Sequence, residues 1–507
     1  MALADAHRRR RLAVATKWIE SRYTTTLISG IADELRQRGV STVCFSLGHR
    51  NRQGDGSVAD HPLWELIGPE NVEGLVVVAP AVLADDSRAF LARFAPLPTV
   101  SVGQRVEGVP SVWLHNAAGV RAMMDHLVDR CQRRRIAFIR GPTGNPEAEA
   151  RWRAYEDMCV ELSLGIDESL IEHGDFSEVS GRSAMERLLA RTEKNPLDAV
   201  FAANDLMALG AEQALSAHRR QVPQEVAVVG FDDLEAIFGD PPLTTVRQPT
   251  YAIGRHAADL AERMVVGAAV PQPPPFPPEL VVRDSCGAPP SVPRQAAPAA
   301  DPGRALFFSA WDLGLPRRFA ELPVMLRQLR DRTLAALPHS RGRRDPCVRG
   351  FAAFADQLDA AVHQAHASDL ALHTARSQAL QRLRRALVFA TDREEVGRAV
   401  EIALPALSLE SFSISVFEGE RRELARVLLQ VDDGVRIPAV DAPAAARYAL
   451  GAVTLEEDRP ATWLVLPIED EAGVLGFVAA RGQTYDMPAL AELVALVAPA
   501  LRRTHLP

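Results

Sequence analysis

Four positions in the first half of the chain carry side chains suited to holding a hydroxyl-rich molecule: Arg151, Phe176, Asn204 and Asp232. Asn204 and Asp205 follow the apolar run Val200-Phe201-Ala202-Ala203 and precede the helical pattern Leu206, Met207, Leu209. A second seam has the same form, with Val226-Ala227-Val228-Val229-Gly230 leading into Phe231-Asp232-Asp233. Each hydroxyl of a sugar donates and accepts, so amides, carboxylates and guanidinium groups complement it, and an aromatic ring covers the C–H face. Each residue also has a plainer use. Asn204 suits a helix N-cap, and Asp205 suits the first helical turn, where it is expected to do no more than complement the helix dipole. Asp232-Asp233 suits a turn, Arg151 a solvated helix start and Phe176 a core. The ligand reading needs the two strand ends to meet at one rim.

Other chemistries lack support. There is no Walker loop, HExxH, GxSxG or kinase-type signature. Nothing pairs a nucleophile with a base, so no catalytic residue and no enzyme activity are expected. Cys44, Cys131, Cys159, Cys286 and Cys347 form no CxxC pair, and the expectation is reduced thiols with no metal site. His363 and His366 have an i, i+3 spacing but no supporting carboxylates. No cofactor is expected. Net charge is −8, from 57 Lys plus Arg against 65 Asp plus Glu, which argues against a nucleic-acid-binding surface overall. The local exception is Arg8-Arg9-Arg10-Arg11, more simply read as a solvated tip before the first strand. The chain shows no signal-peptide core and no apolar run of about 18 residues, so a cytoplasmic protein without membrane contact is expected.

The 507 residues suffice for several domains, and 47% hydrophobic with 24% charged residues is ordinary for a globular chain. Through about residue 285, Val-, Ile- and Ala-rich runs alternate with amphipathic helical patterns. Leu12–Ala15, Val43–Phe45, Gly74–Ala79, Pro98–Val102, Arg135–Ile139, Ala199–Ala202 and Val226–Val229 are the runs. Continuous apolar runs of that length indicate parallel strands covered on both faces. The span predicts two doubly wound lobes, 1–287. A Pro/Ala-rich linker is predicted at 288–303 and a helical connector at 304–390, including a pattern from Phe351 through Leu387. From 391 to 507 a helix precedes alternating segments at Ser411–Phe417, Ala425–Leu429, Trp463–Pro467 and Val474–Ala479, and a final helix follows. That pattern predicts an α+β unit.

The block VFAANDLMALG … VPQEVAVVGFDD … PPLTTVRQP … GRHAADL, with the closing Glu279-Leu280-Val281-Val282-Arg283-Asp284-Ser285, resembles the effector-binding domain of the lactose/galactose repressor family. The resemblance spans about 12 to 287. It implies a periplasmic-binding-protein-like fold with a small ligand between two lobes. It further implies ligand contacts at Asn204, at Asp232, at Arg151 (with Ala154 where the family has Gly and Tyr155 as the following aromatic), at Phe176 and at Gln248. Tyr23 and Ser101 are looser matches in the first lobe. His115-Asn116 stands where an Asp-Asn pair is common, and Cys131-Gln132-Arg133 replaces a Gly-containing turn. The family's DNA-reading helix-turn-helix and hinge, roughly sixty residues, has no room before Leu12. The unit at 391–507 resembles a GAF-type sensory domain, over about residues 373 to 503, on element order and on Leu466-Pro467, Gly473 and Leu475-Gly476-Phe477.

These readings lead to a cytoplasmic, ligand-binding sensor that takes a sugar or related metabolite and relays its closure to a signalling or transcriptional partner protein, with a homodimer as the expected assembly. The alternative is a transcription regulator using a non-standard or partner-supplied DNA reader, with Arg8–Arg11 or Arg341-Gly342-Arg343-Arg344 as candidate contacts. Direct DNA contact stays open on these residues alone.

Overall fold

The computed structural model describes residues 10–17, 19, 21–47, 61–78, 87–288, 371–372, 374–407, 409–418, 422, 424–437, 444–445, 460–470, 473–481 and 487–504. The predicted linker beyond 288, the connector up to 370, Arg8, Arg9, Arg341, Arg343, Arg344, Cys347, His363 and His366 lie outside them.

The first lobe runs β1 (Arg11–Thr16), α1 (Arg22–Gln37), β2 (Ser41–Ser46), β3 (Gly74–Val78), α2 (Ser87–Ala92), β4 (Thr99–Val102) and β5 (Ser111–Val112). β1, β2 and β3 are buried along their whole length, which is why they read as continuous apolar runs. They form a parallel array in the order β2-β1-β3-β4-β5. Ser21 caps α1 by accepting from Thr24 N at 3.1 Å, and Leu27, Ile31 and Leu35 turn inward at helical spacing.

The second lobe runs α3 (Asn116–Asp125), continued by a π-turn at His126–Arg130, then β6 (Ile136–Arg140), α4 (Pro146–Glu161), β7 (Ile171–His173), α5 (Glu178–Arg191), β8 (Ala199–Ala202), α6 (Asp205–Ala217) and β9 (Ala227–Val229). Its strands are parallel in the order β7-β6-β8-β9. A short antiparallel pair, β10 (Thr245–Arg247) and β11 (Glu279–Val281), flanks α7 (Thr250–Val265). α7 returns to the first lobe and packs on α1, β3 and β4.

The α1–α7 seam is built on two glycines. A Cβ on Gly30 would lie 2.2 Å from Tyr251 O, and one on Gly254 would lie 2.2 Å from Leu27 O. The helices therefore meet backbone to backbone. Charged pairs border the seam: Arg255–Glu34 at 2.6 Å, Arg38–Asp259 at 2.6 Å and Arg38–Glu262 at 3.1 Å.

In the rest of the chain, α8 (Arg393–Ala403) is followed by β12 (Ser411–Glu418), β13 (Leu424–Asp432), β14 (Val435–Arg436), β15 (Ala444–Ala445), β16 (Thr462–Asp470), β17 (Gly473–Arg481) and α9 (Met487–Arg503). The four long strands cover the four alternating segments of the sequence. They form an antiparallel sheet, β14-β13-β12-β17-β16, with β15 beside β13. β16 also pairs in parallel with β2, from Thr462 opposite Thr42 to Val465 opposite Phe45. The first lobe's sheet thus continues through β2 into this antiparallel sheet, and Phe45, Trp463 and Phe477 bury into one core. An exposed β2 edge would offer unpaired backbone groups, and β16 satisfies them. Residues 1–291 and 409–487 form one compact unit on this account.

Residues 292–408 and 488–507 form the other unit. Within it, residues 374–389 are helical, Asp392 caps α8 by accepting from Glu395 N at 2.8 Å, and Arg503 on α9 donates to Leu387 O at 2.6 Å. Among the described residues, no helix is long and apolar enough to cross a membrane.

Candidate functional site

β8 and β9 are parallel neighbours, so the seams at Asn204 and Asp232 open on the same carboxyl edge of the second sheet. Asn204 caps α6, its Oδ1 accepting from Met207 N at 3.0 Å, while its Nδ2 donates to Phe176 O at 3.1 Å. One side chain thus starts the helix and holds the Phe176 loop. Phe176 has a φ of 69°, unusual for a residue with a Cβ, and its ring lies over Gly141, where a Cβ would come within 2.5 Å of it.

Arg151 is only 3% exposed, so the solvated helix-start reading gives way. Its guanidinium is the hub of the rim. Nε donates to Asn116 Oδ1 at 2.9 Å, and NH1 donates to Ala203 O at 2.5 Å and lies 3.3 Å from Asp232 Oδ1. NH2 lies 3.6 Å from Glu147 Oε2, and the group stands 3.9 Å over the Phe231 ring. Gln248 Nε2 donates to Asp232 Oδ1 at 2.5 Å. The rim therefore joins α3 through Asn116, α4 through Glu147 and Arg151, the β8 and β9 ends, and the strand leading into α7 through Gln248.

Burial pushes the Asp232 carboxyl above its ordinary range, opposed by the charge of Arg151 and the Gln248 amide. Burial likewise raises Glu147, opposed by Arg151 and Asn116. Tyr23, at the start of α1 in the first lobe, has its phenol raised by burial and then by the charges of Glu147 and Asp232. The Tyr23 phenol therefore sits within electrostatic reach of the second-lobe rim. Arg22 beside it spans the lobes too, 3.7 Å from Glu235 and 4.7 Å over the Phe238 ring. Among the described residues, neither Asp232 Oδ2 nor the Tyr23 hydroxyl has a hydrogen-bond partner.

The Ser101 hydroxyl is used within its own lobe. Ser101 is fully buried on β4, and its hydroxyl donates to Gln104 O at 2.7 Å, closing its own turn.

Asp205 does more than complement a helix dipole. It is completely buried, Oδ1 accepts from Thr245 Oγ1 at 2.6 Å, and Oδ2 accepts from Leu234 N at 3.0 Å. It ties the loop carrying Asp232 to β10, and burial followed by the charge of Asp232 holds its carboxyl well above the usual range. Asn116 and Glu147 are rim residues that the sequence reading did not single out as site members. Their signals were the His115-Asn116 departure and the acidic first turn of Asn145-Pro146-Glu147. His115 caps α3 through Nδ1, which accepts from Ala118 N at 3.2 Å, and so performs the cap an Asp would make. Gln132 adopts a φ of 56° in the turn where glycine is common.

Glu212 on α6 gives a pH test of the second lobe. Burial pushes its carboxyl up to about 8. The folded state binds this proton more tightly than the unfolded chain, so its stabilising contribution is full below the ordinary range near 4.5 and is lost as pH rises through about 8. Glu212→Gln mimics the protonated form. Urea unfolding at pH 5 and pH 8.5 is expected to show the variant gaining stability relative to wild type at the higher pH. A variant that loses ground as pH rises contradicts the assignment.

Residues 124–286 match the family described as a periplasmic binding protein-like domain. The HTH-type transcriptional regulator CelR of Thermobifida fusca is 33% identical over 247 residues, 48% of this chain and 69% of CelR. The ribose operon repressor of Escherichia coli (strain K12) is 34% identical over 232 residues, 44% of this chain and 68% of the repressor. Among solved structures, the Lac repressor dimer bound to operator and the anti-inducer ONPF is 26% identical, with a TM-score of 0.50, covering 56% of this chain and 96% of that one.

Proposed function

This chain belongs to the lactose/galactose repressor family, and on that premise we propose that it is a regulatory protein whose first domain closes two lobes on a sugar or related polar metabolite. The observation that carries this reading is the meeting of unspent polar groups from both lobes. Asp232 faces Arg151 through Oδ1 at 3.3 Å and leaves Oδ2 unspent, the Tyr23 hydroxyl of the first lobe lies within electrostatic reach of Asp232 and Glu147, and Asn204 holds the Phe176 loop at the same edge. A carboxylate accepts from two adjacent sugar hydroxyls, a phenol donates or accepts, and a ring covers the apolar face. Ligand bound there contacts both lobes only when they are closed, so it shifts the population toward closure.

The relatives are a transcriptional regulator and an operon repressor, which supports transcriptional regulation as the output class. The Lac repressor dimer supports a homodimer. The antiparallel sheet of β12 to β17 serves, in this proposal, as a GAF-like sensory or dimerising module that passes closure to a protein partner. The protein acts by binding and not by turnover. The second reading, a DNA-binding regulator, draws on the same relatives. It gains nothing from the N-terminal arginines that the structure describes: Arg10 pairs with Glu73 at 3.0 Å and Glu262 at 2.9 Å, and Arg11 is buried in β1.

A thermal-shift screen with sugars, polyols and nucleobases tests the proposal. At least one sugar or polyol is expected to raise the melting temperature by about 5 °C or more at ~100-fold excess over its Kd. A response confined to nucleobases, or no response at all, contradicts it.

A further inference from the structure

Outside the cleft, three side chains with metal-binding chemistry converge at the base of the second lobe. His126 opens the π-turn that extends α3, Cys131 follows that turn, and Cys286 ends the closing 3-10 turn Asp284–Cys286. Cys286 Sγ lies 3.3 Å from His126 Nε2, and Cys131 Sγ lies 3.4 Å from the same nitrogen. The three donor atoms all fall within 4.8 Å of one another. His126 and Cys286 are buried and Cys131 is half-buried.

A hydrogen-bond account of this arrangement is incomplete. Cys286 Sγ can also donate to Arg283 O at 3.6 Å, but an imidazole Nε2 carries either one lone pair or one proton, so it makes one good hydrogen bond, yet two sulfurs address it. One metal ion bonded to all three atoms removes the conflict. Tetrahedral zinc with Zn–S near 2.3 Å and Zn–N near 2.05 Å places sulfur and nitrogen about 3.6 Å apart, a few tenths of an ångström from the distances seen. Two soft thiolates with one imidazole select zinc over calcium or magnesium, which take oxygen ligands.

We propose that His126 Nε2, Cys131 Sγ and Cys286 Sγ form a binding site for one Zn2+ ion. Binding replaces the two thiol protons, which pass to solvent, and the net charge of the three-ligand centre is zero. Three protein ligands leave one tetrahedral position, which water would fill. The site joins segments far apart in the chain. Ser285, next to Cys286, already anchors the closing turn by donating to Val228 O at 2.5 Å and accepting from Thr244 N at 2.8 Å. Metal adds a bond from that turn to the end of α3, pinning the point where the chain leaves the sensor domain.

The test uses the full chain, purified with reductant, stripped with chelator, loaded with Zn2+ or Co2+ and desalted. One ion per chain is expected, with thiolate-to-cobalt charge-transfer absorption in the Co2+ form. Cys131→Ser, at the half-exposed position, should fold and weaken Zn2+ binding by at least on the order of 100-fold, the upper end of what outer-shell losses cost. His126→Gln should do the same, whereas Cys159→Ser should retain wild-type stoichiometry. Full metal content in Cys131→Ser and His126→Gln overturns the site. So does a wild-type protein that takes up no metal while reduced, with Cys131 and Cys286 instead forming a disulfide in air.

Discussion

Arg151→Ala is expected to cost about 3–5 kcal/mol of stability and to remove ligand binding with it. The cost follows from what the guanidinium holds. It is 3% exposed, bonds Asn116 and Ala203, and is the cation facing Asp232 and Glu147. Both carboxyls are already raised by burial with the arginine present. Removing one partner of a buried pair leaves an uncompensated charge, and such losses run to about 3–5 kcal/mol. The stacking on Phe231 at 3.9 Å is lost as well. Arg151→Lys keeps the charge but not the planar fork, so it should recover only part of the loss. Denaturant unfolding of the three proteins measures this. A cost below about 1 kcal/mol for Arg151→Ala, the value of an exposed ion pair, contradicts the buried hub. The same burial makes Arg151 a poor variant for testing ligand binding alone.

Gly254→Val is expected to destabilise the first lobe by about 3 kcal/mol or more. Two opposing effects apply, and their sizes decide the sign. A residue with a side chain stabilises a helix interior over glycine by at most about 1 kcal/mol. Against that, a Cβ at Gly254 would lie 2.2 Å from the Leu27 carbonyl oxygen, and the contact is backbone, which cannot rotate away. Overpacking a fitted interface costs about 1–3 kcal/mol and sometimes more. Spreading the helices also strains the Arg38 pairs with Asp259 and Glu262 that cross the seam. Gly254→Ala should already be destabilising, and Gly30→Ala with Gly254→Ala should cost less than the sum of the singles, since the first separation serves both. Thermal unfolding checks this, and a Gly254→Val protein as stable as wild type refutes the backbone contact.

Most strands of both lobes were legible because burial on two faces favours an apolar run, as in Gly74–Val78, whereas the short β5 (Ser111–Val112) and β7 (Ile171–His173, interrupted by Glu172) present no such run. Asn204 and Asp232 were legible because a polar residue placed directly after such a run must stand at a sheet edge. Arg151 was found by resemblance, but its burial was not, since a basic residue near a helix start looks the same whether solvent or Asp232 faces it. Asp205 was underestimated for a similar reason: its partners Thr245 and Leu234 are distant in the chain, and only the fold brings them together. Ser101 matched by position, yet its hydroxyl serves the Gln104 turn. The pairing of β16 with β2 left no local trace, because an edge strand gains a neighbour through backbone groups that every residue shares. The cysteines gave a similar lesson. Spacing along the chain showed no cluster, but the return of the closing turn to the end of α3 makes one at Cys131 and Cys286.

The central claim is that the rim around Asp232 binds a hydroxylated ligand between the lobes. Its most direct test is calorimetric titration of the best sugar or polyol from the screen into wild type and Asp232→Asn, with unfolding of both proteins as a control for the fold. Hydrogen bonds to a charged group contribute about 1.5–3 kcal/mol, so Asp232→Asn is expected to weaken binding roughly 10- to 100-fold while remaining folded. A folded Asp232→Asn protein that binds the same ligand with unchanged affinity contradicts the claim.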